Sequence, residues 1–108
     1  MAYRVLLTHG AAQDLRKIHE YVAGHDSPAR AGYVLGKIEA VFGRLSELPE
    51  RGAIPRELDA LGIREFREVF FKPYRVIYYV EGKAVYVVVI ADGRRDMRTL
   101  LQQRLLGA

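Results

Sequence analysis

The sequence predicts an α+β fold: a twisted, mostly antiparallel four-stranded sheet packed against an αα-hairpin and a short C-terminal helix, in the order β-α-α-β-β-β-α. Apolar residues recur at three- and four-residue spacing through two adjacent stretches between Ala11 and Leu48, as amphipathic helices require. From Ile63 to Ile90 the pattern changes to β-branched and aromatic runs broken by turn residues, as in hairpins. After Arg94 a leucine-rich helical pattern closes the chain.

The first strand is YRVLLT, Tyr3 to Thr8, short and rich in strand-forming side chains. Leu15, Ile18, Tyr21 and Val22 then form a helical stripe, and Gly24 supplies a stop. Ser27 caps the next helix and Pro28 suits its first turn, where a missing N–H is harmless. Val34, Leu35, Ile38, Val41, Phe42, Leu45 and Leu48 give that helix its apolar side, and it stops near Pro49. Gly32, Gly36 and Gly43 lie inside it. Each weakens a helix by up to about 1 kcal/mol against alanine, and close packing of the two helices on the Gly32–Gly36 face is the expected reason.

The loop LPERGAIPRELDALG is expected to pack on the body through Ile54, Leu58 and Leu61. REFREVFF, YRVIYYV and AVYVVVI follow as strands, separated by Lys72-Pro73 and by Glu81-Gly82-Lys83, a short β-turn. Continuous apolarity from Val85 to Ile90 marks a strand covered on both faces and therefore central. The tail is a short helix with Met97, Leu100, Leu101, Leu105 and Leu106 on its apolar side.

With 108 residues the chain has the size of one ordinary domain, spanning 1–108. Half the residues are hydrophobic and 28% are charged, a balance that fits a soluble globular protein. The absence of cysteine removes disulfides, thiolate catalysis and cysteine-based zinc sites. No run approaches the roughly 20 apolar residues of a bilayer span, so the cytoplasm is the expected compartment and no membrane partner is expected.

The net charge of +4 is unevenly placed. Eight Lys/Arg balance eight Asp/Glu up to Ile63, whereas nine face five from Arg64 onward. The basic part is the hairpin part, which suits an anionic partner, either nucleic acid or an acidic protein segment.

The element order, the early AAQDLRKIHEY, the PYRVIYYV strand, and GRRD directly after the last strand with a leucine-rich helix behind it resemble the RelE/ParE superfamily of bacterial toxins from type II toxin–antitoxin systems. Two activities follow from that resemblance. RelE-like members cleave messenger RNA on the ribosome without a metal, using Lys/Arg side chains and a C-terminal tyrosine or a histidine–tyrosine pair. ParE-like members inhibit DNA gyrase by binding, with no hydrolytic site attributed to them.

On the nuclease reading Arg75 and Arg95 match the phosphate-binding arginines, and Arg67 stands in for a sheet lysine with a one-residue shift in register. Cleavage also needs groups that accept and donate protons. After Arg95 there is neither tyrosine nor histidine, and Leu101 lies about where the tyrosine is expected. Arginine is a poor proton shuttle because its pKa exceeds about 12. His9, His19 and His25 lie in the first strand–helix region without a carboxylate at a defined spacing. Glu65 and Glu68 are candidate bases, or ion-pair partners of Arg64 and Arg67. A purely structural reading pairs Arg75 with Glu68 or Glu65, and Arg94-Arg95 with Asp92 or Asp96.

Three readings stand, in order. The first is a ParE-like toxin that inhibits gyrase through Arg75, Arg94, Arg95 and Arg98 and is neutralised by a cognate ParD-like or RelB-like antitoxin. The second is a RelE-like, ribosome-dependent messenger RNA endonuclease built on Arg67, Arg75 and Arg95. The third is a non-toxic regulator whose activity is antitoxin binding. None calls for a metal or other cofactor, and the antitoxin-binding residues are unassigned.

Overall fold

Side-chain caps at three helix starts turn the sequence into defined elements. The computed structural model describes residues 2–107. Strand β1 (Arg4–Leu7) ends at Thr8, whose hydroxyl accepts the Ala11 N–H at 3.3 Å and opens helix α1 (His9–His25). Ser27 accepts the Arg30 N–H at 3.0 Å ahead of helix α2 (Pro28–Glu47), with Pro28 in its first turn as expected. These contacts satisfy amides that have no partner within the helix. A short helix α3 (Arg56–Asp59) follows, then strands β2 (Arg67–Phe71), β3 (Tyr74–Glu81) and β4 (Ala84–Asp92). Asp96 caps helix α4 (Met97–Leu106) through the Thr99 N–H, and Gly107 closes it at φ 70°, a conformation suited to glycine.

The strand order is β1-β4-β3-β2. β4 is central as expected; it runs antiparallel to β3 and parallel to β1, so the sheet is mixed. The β3–β4 register shifts between Ile77 and Tyr78, which pair with Val89 and Val87 and leave Val88 as an extra residue. A bulge of this kind turns two successive side chains to one side. Val85, Val87 and Ile90 accordingly join the core beneath α1 and α2, while Val88 and Val89 join the core beneath α3 and α4. The sheet is thus covered on both faces, which accounts for the unbroken apolar run.

Several expectations are corrected. The second predicted strand begins only at Arg67, because α3 and its following turn occupy the chain up to Gly62. Leu58 is buried and Ile54 half-buried, but Leu61 is exposed. Tyr21, Leu48 and Leu106 are also exposed. A Cβ at Gly32, Gly36 or Gly43 would meet nothing within 4 Å. These glycines therefore lie on the open side of α2 and are not explained by contact with α1. No helix among the described residues is long and apolar enough to cross a membrane.

Candidate functional site

Arg75 lies within the basic part of the chain, and the structure places it inside. It is 7% exposed on the α3/α4 side of the sheet, with its cation shared between two carboxylates. Both Nη atoms donate to Glu57 of α3 at 2.8 Å, and Nε donates to Glu68 of β2 at 2.7 Å. The bidentate arginine holds the Glu57 carboxyl down at about pKa 2. At Glu68 burial outweighs the same cation and raises the carboxyl above its ordinary value. Arg75 itself is pushed further up by the Glu57 hydrogen bonds and stays charged.

This placement bears out the expected Arg75–Glu68 pair and corrects the alternative pairing of Glu68 with Arg67. Arg75 has no free face toward a target or a phosphate, so it is a structural cation. Glu68 pairs with Arg75, one of the two partners expected, rather than with Arg67. Glu57 was missed because no local pattern distinguishes it from the other acidic residues of its loop; only the docking of α3 brings it to β3.

Arg67 sits opposite Tyr78 on β3 and shares its face with the α1/α2 core, donating to the Gly52 carbonyl at 2.8 Å. Arg75 sits opposite Phe70 on the other face. The three arginines of the nuclease reading, Arg67, Arg75 and Arg95, are therefore not brought together around one phosphate. Leu101 is buried against the sheet. His9 bonds Gln13, and His25 stacks on Tyr21 and bonds its carbonyl. Arg64 pairs with Asp59 at 2.7 Å, not with Glu65, although its backbone N–H donates to the Glu65 carboxylate.

What remains exposed is the turn after β4. Arg94 pairs with Asp92 at 2.6 Å but is largely in solvent, and the pairing lowers the Asp92 pKa. Arg95 and Arg98 are exposed and have no ion-pair partner among the described residues. The turn is held from below: Gly93 donates to the Pro73 carbonyl at 2.8 Å, and a Cβ there would lie 2.9 Å from Arg75 Cδ. The buried arginine thus supports the backbone that presents the exposed ones. Beside them Tyr74 is half-buried, with its phenol pushed above its ordinary pKa of 10 by desolvation, so at neutral pH it stays protonated.

A second polar link, also missed from sequence, fastens α4. Arg104 forms two hydrogen bonds to Asp14 of α1, at 2.9 and 3.0 Å, and a third to the Val88 carbonyl at 2.9 Å. Asp14 also accepts the Ile90 N–H at 3.0 Å. β1 pairs with β4 only as far as Leu7 and Val87. The Asp14–Arg104 pair therefore satisfies the β4 backbone just past the end of its neighbouring strand.

A mixed four-stranded sheet with a helix hairpin on one face, and a basic turn leading from the central strand into a C-terminal helix, is the arrangement that the resemblance to the RelE/ParE superfamily implied. The profile described as "ParE toxin of type II toxin-antitoxin system, parDE" matches residues 5–97. The chain belongs to the ParE toxin family of type II toxin–antitoxin systems. It is 32% identical over 101 residues to toxin ParE3 of Caulobacter vibrioides, covering 94% of this chain and 97% of that protein. Among solved structures it resembles a chain of the chromosomal ParDE system from P. aeruginosa with a TM-score of 0.71 and 21% identity, over 84% of this chain and 96% of that one. A chain of the RelBE2 complex from Mycobacterium tuberculosis aligns with a TM-score of 0.58 and 25% identity, over 85% and 92%. A mutant E. coli toxin RelE in the free state aligns with a TM-score of 0.62 and 17% identity, over 93% of each chain. The first and third of these likenesses concern the fold alone.

Proposed function

We propose that this toxin inhibits DNA gyrase by binding it in the cytoplasm, with the turn carrying Arg94, Arg95 and Arg98 as its contact, and that a cognate antitoxin of the ParD class neutralises it. The observation that carries the reading is the division of labour among the arginines. Arg75 is consumed by Glu57 and Glu68, while Arg95 and Arg98 are exposed without ion-pair partners among the described residues. Such a surface can hold an acidic protein patch or a phosphate. The neighbouring phenol of Tyr74 is raised by burial above its ordinary value, further from the neutral range in which general acid–base cleavage works best. Family membership favours gyrase; the family's description as toxins of type II toxin–antitoxin systems and the likeness to a chain of the RelBE2 toxin–antitoxin complex favour an antitoxin partner.

The test is a supercoiling assay with purified, antitoxin-free protein, gyrase and relaxed plasmid, with Arg95→Ala alongside. Lost supercoiling or accumulated cleaved plasmid, weakened in the variant, supports the reading. Full gyrase activity at large toxin excess refutes it and directs the work to ribosomes and messenger RNA.

A further inference from the structure

The chain up to Ile63 is balanced in charge, yet folding sorts its charges. Arg30, Lys37 and Arg44 recur at every seventh residue of α2. Seven residues are nearly two full turns, so the three cations share one flank of the helix at intervals of about 10 Å. Arg51 continues the line: with Arg44 it borders a hollow of about 360 Å³ between α2 and the edge strand β2. At the other end Arg30 and Lys72 border one shallow cleft. All five side chains are exposed.

Carboxylates do little to offset this track. Neither Asp26, Glu39, Glu47 nor Glu50 forms an ion pair with any of the five, which have no such partner among the described residues. Glu39, two residues beyond Lys37, falls on the opposite flank of the helix. Glu68 borders the hollow but gives its carboxylate to Arg75.

Two of the cations are also held in place. The Arg30 guanidinium lies 4.8 Å and the Lys37 ammonium 5.5 Å from the centre of the Tyr33 ring, which packs edge-on against Phe71. Cations fixed on an aromatic face lose less freedom when a partner arrives. The hollow adds a backbone donor. Glu68 exchanges two backbone hydrogen bonds with Ala53 across the outer edge of β2, so strand alternation turns the Phe70 N–H to the same edge, beside Arg44 and Arg51.

We propose that this track binds the phosphate backbone of duplex DNA. Arginine, lysine and backbone N–H groups are the usual ligands of phosphate, and a row of cations on one rigid helix suits a rigid array of phosphates. Readers of single strands stack bases on free aromatic faces. Here the Tyr33 ring is taken up by two cations, and Phe70 lies with Arg75 on the other face of the sheet. Lys72, at the end of the track, also borders a cleft with Arg94, so the track leads to the basic turn. A toxin held on gyrase by that turn can grip the DNA on which gyrase acts. DNA binding stands on this surface alone, whereas its link to gyrase rests on the reading above.

The experiment measures binding of the purified, antitoxin-free toxin to a short fluorescent DNA duplex by anisotropy. Salt is varied from about 50 to 200 mM, because each phosphate contact steepens the fall of log K with log salt by about 0.9. The parent is expected to give a slope of about −3 to −5. Lys37→Glu and Arg44→Glu should each flatten it by about 1 and weaken binding roughly 10-fold. Arg64→Glu, an exposed position paired with Asp59 beside α3, should stay within about 3-fold of the parent. Circular dichroism checks folding, and the two track variants lie two turns apart, with only Lys37 touching the Tyr33 stack. A parent that binds no duplex, or binding lost in Arg95→Glu but unchanged in both track variants, overturns the track. Tighter binding of RNA or of single-stranded DNA overturns the choice of duplex DNA. Inhibited gyrase without DNA binding by the toxin removes the track and leaves the gyrase reading intact; DNA binding beside unaffected gyrase does the reverse.

Discussion

The guanidinium of Arg75 and the carboxylate of Glu57 meet through two hydrogen bonds of 2.8 Å, joining strand β3 to the short helix α3 across 18 positions of sequence. With Glu68 as a second acceptor, one buried cation holds together a strand hairpin, a helix of four residues and, through its aliphatic stem, the turn at Gly93. The basic turn depends on this cluster for its position.

Arg75→Ala should therefore act through stability. It leaves Glu57 and Glu68 facing each other with little solvent, and breaking a buried network of this kind costs about 3–5 kcal/mol. Urea denaturation is expected to show a much lower midpoint. Loss of toxicity in this variant with unchanged stability would instead assign Arg75 a direct contact with the target.

Acid should weaken the same cluster. Glu57 has a native pKa of about 2 against an ordinary value of 4.5, so the unfolded chain binds more protons throughout that interval. Its stabilisation is fully present above about pH 5 and disappears as the pH falls toward 2. Glu68 is shifted the other way and partly offsets this. The net loss is therefore smaller than the Glu57 shift alone would give, and partial solvent screening reduces it further. Denaturation midpoints taken across that range in the parent and in Glu57→Gln check it, and the acid-induced fall should be smaller in the variant.

Gly93→Ala tests the support under the turn. Its Cβ would lie 2.9 Å from Arg75 Cδ and 3.3 Å from the Pro73 carbonyl oxygen. Arg75 is fixed by two carboxylates and cannot easily withdraw. Destabilisation of about 1–3 kcal/mol is expected, as for other overpacked sites, readable in the same denaturation experiment. A neutral result would mean that the turn moves independently of Arg75.

Gly36→Ala should have the opposite sign. A Cβ there meets only open space, and alanine removes the flexibility penalty of a mid-helix glycine. A gain of about 0.5–1 kcal/mol is expected, visible as a higher thermal midpoint. If the variant is more stable but binds antitoxin less well, the open face of α2 also takes part in binding.

Asp14→Ala should release α4. The substitution removes the partner of Arg104 and leaves the Ile90 N–H without its acceptor. Amide hydrogen exchange is expected to accelerate most in residues 97–106 and at Ile90, with smaller changes in β3. Uniform acceleration throughout the chain would show that Asp14 supports the whole fold instead.

Local chemistry determined most of the architecture. Ser27-Pro28, the helical stripes and the Glu81-Gly82-Lys83 turn depend on neighbours within a few residues, so the order of elements, apart from the short helix α3 in the expected loop, and the central place of β4 were legible. So was the basic character of the turn after β4, since Arg94 and Arg95 directly follow its glycine. Tertiary structure decided the rest, because it depends on which faces meet. Arg67 and Arg75 look equivalent in sequence yet lie on opposite faces of the sheet, through strand alternation and pairing. Gly32 and Gly36 look like a packing surface yet face open space, because α1 sits against another side of α2. Arg75 was read both as a target contact and as an ion-pair partner of Glu68 or Glu65, and the fold makes the Glu68 pair. What the sequence did not show was Glu57: α3 brings it to Arg75, and a carboxylate 18 residues away finds its partner through the completed fold rather than through any local pattern.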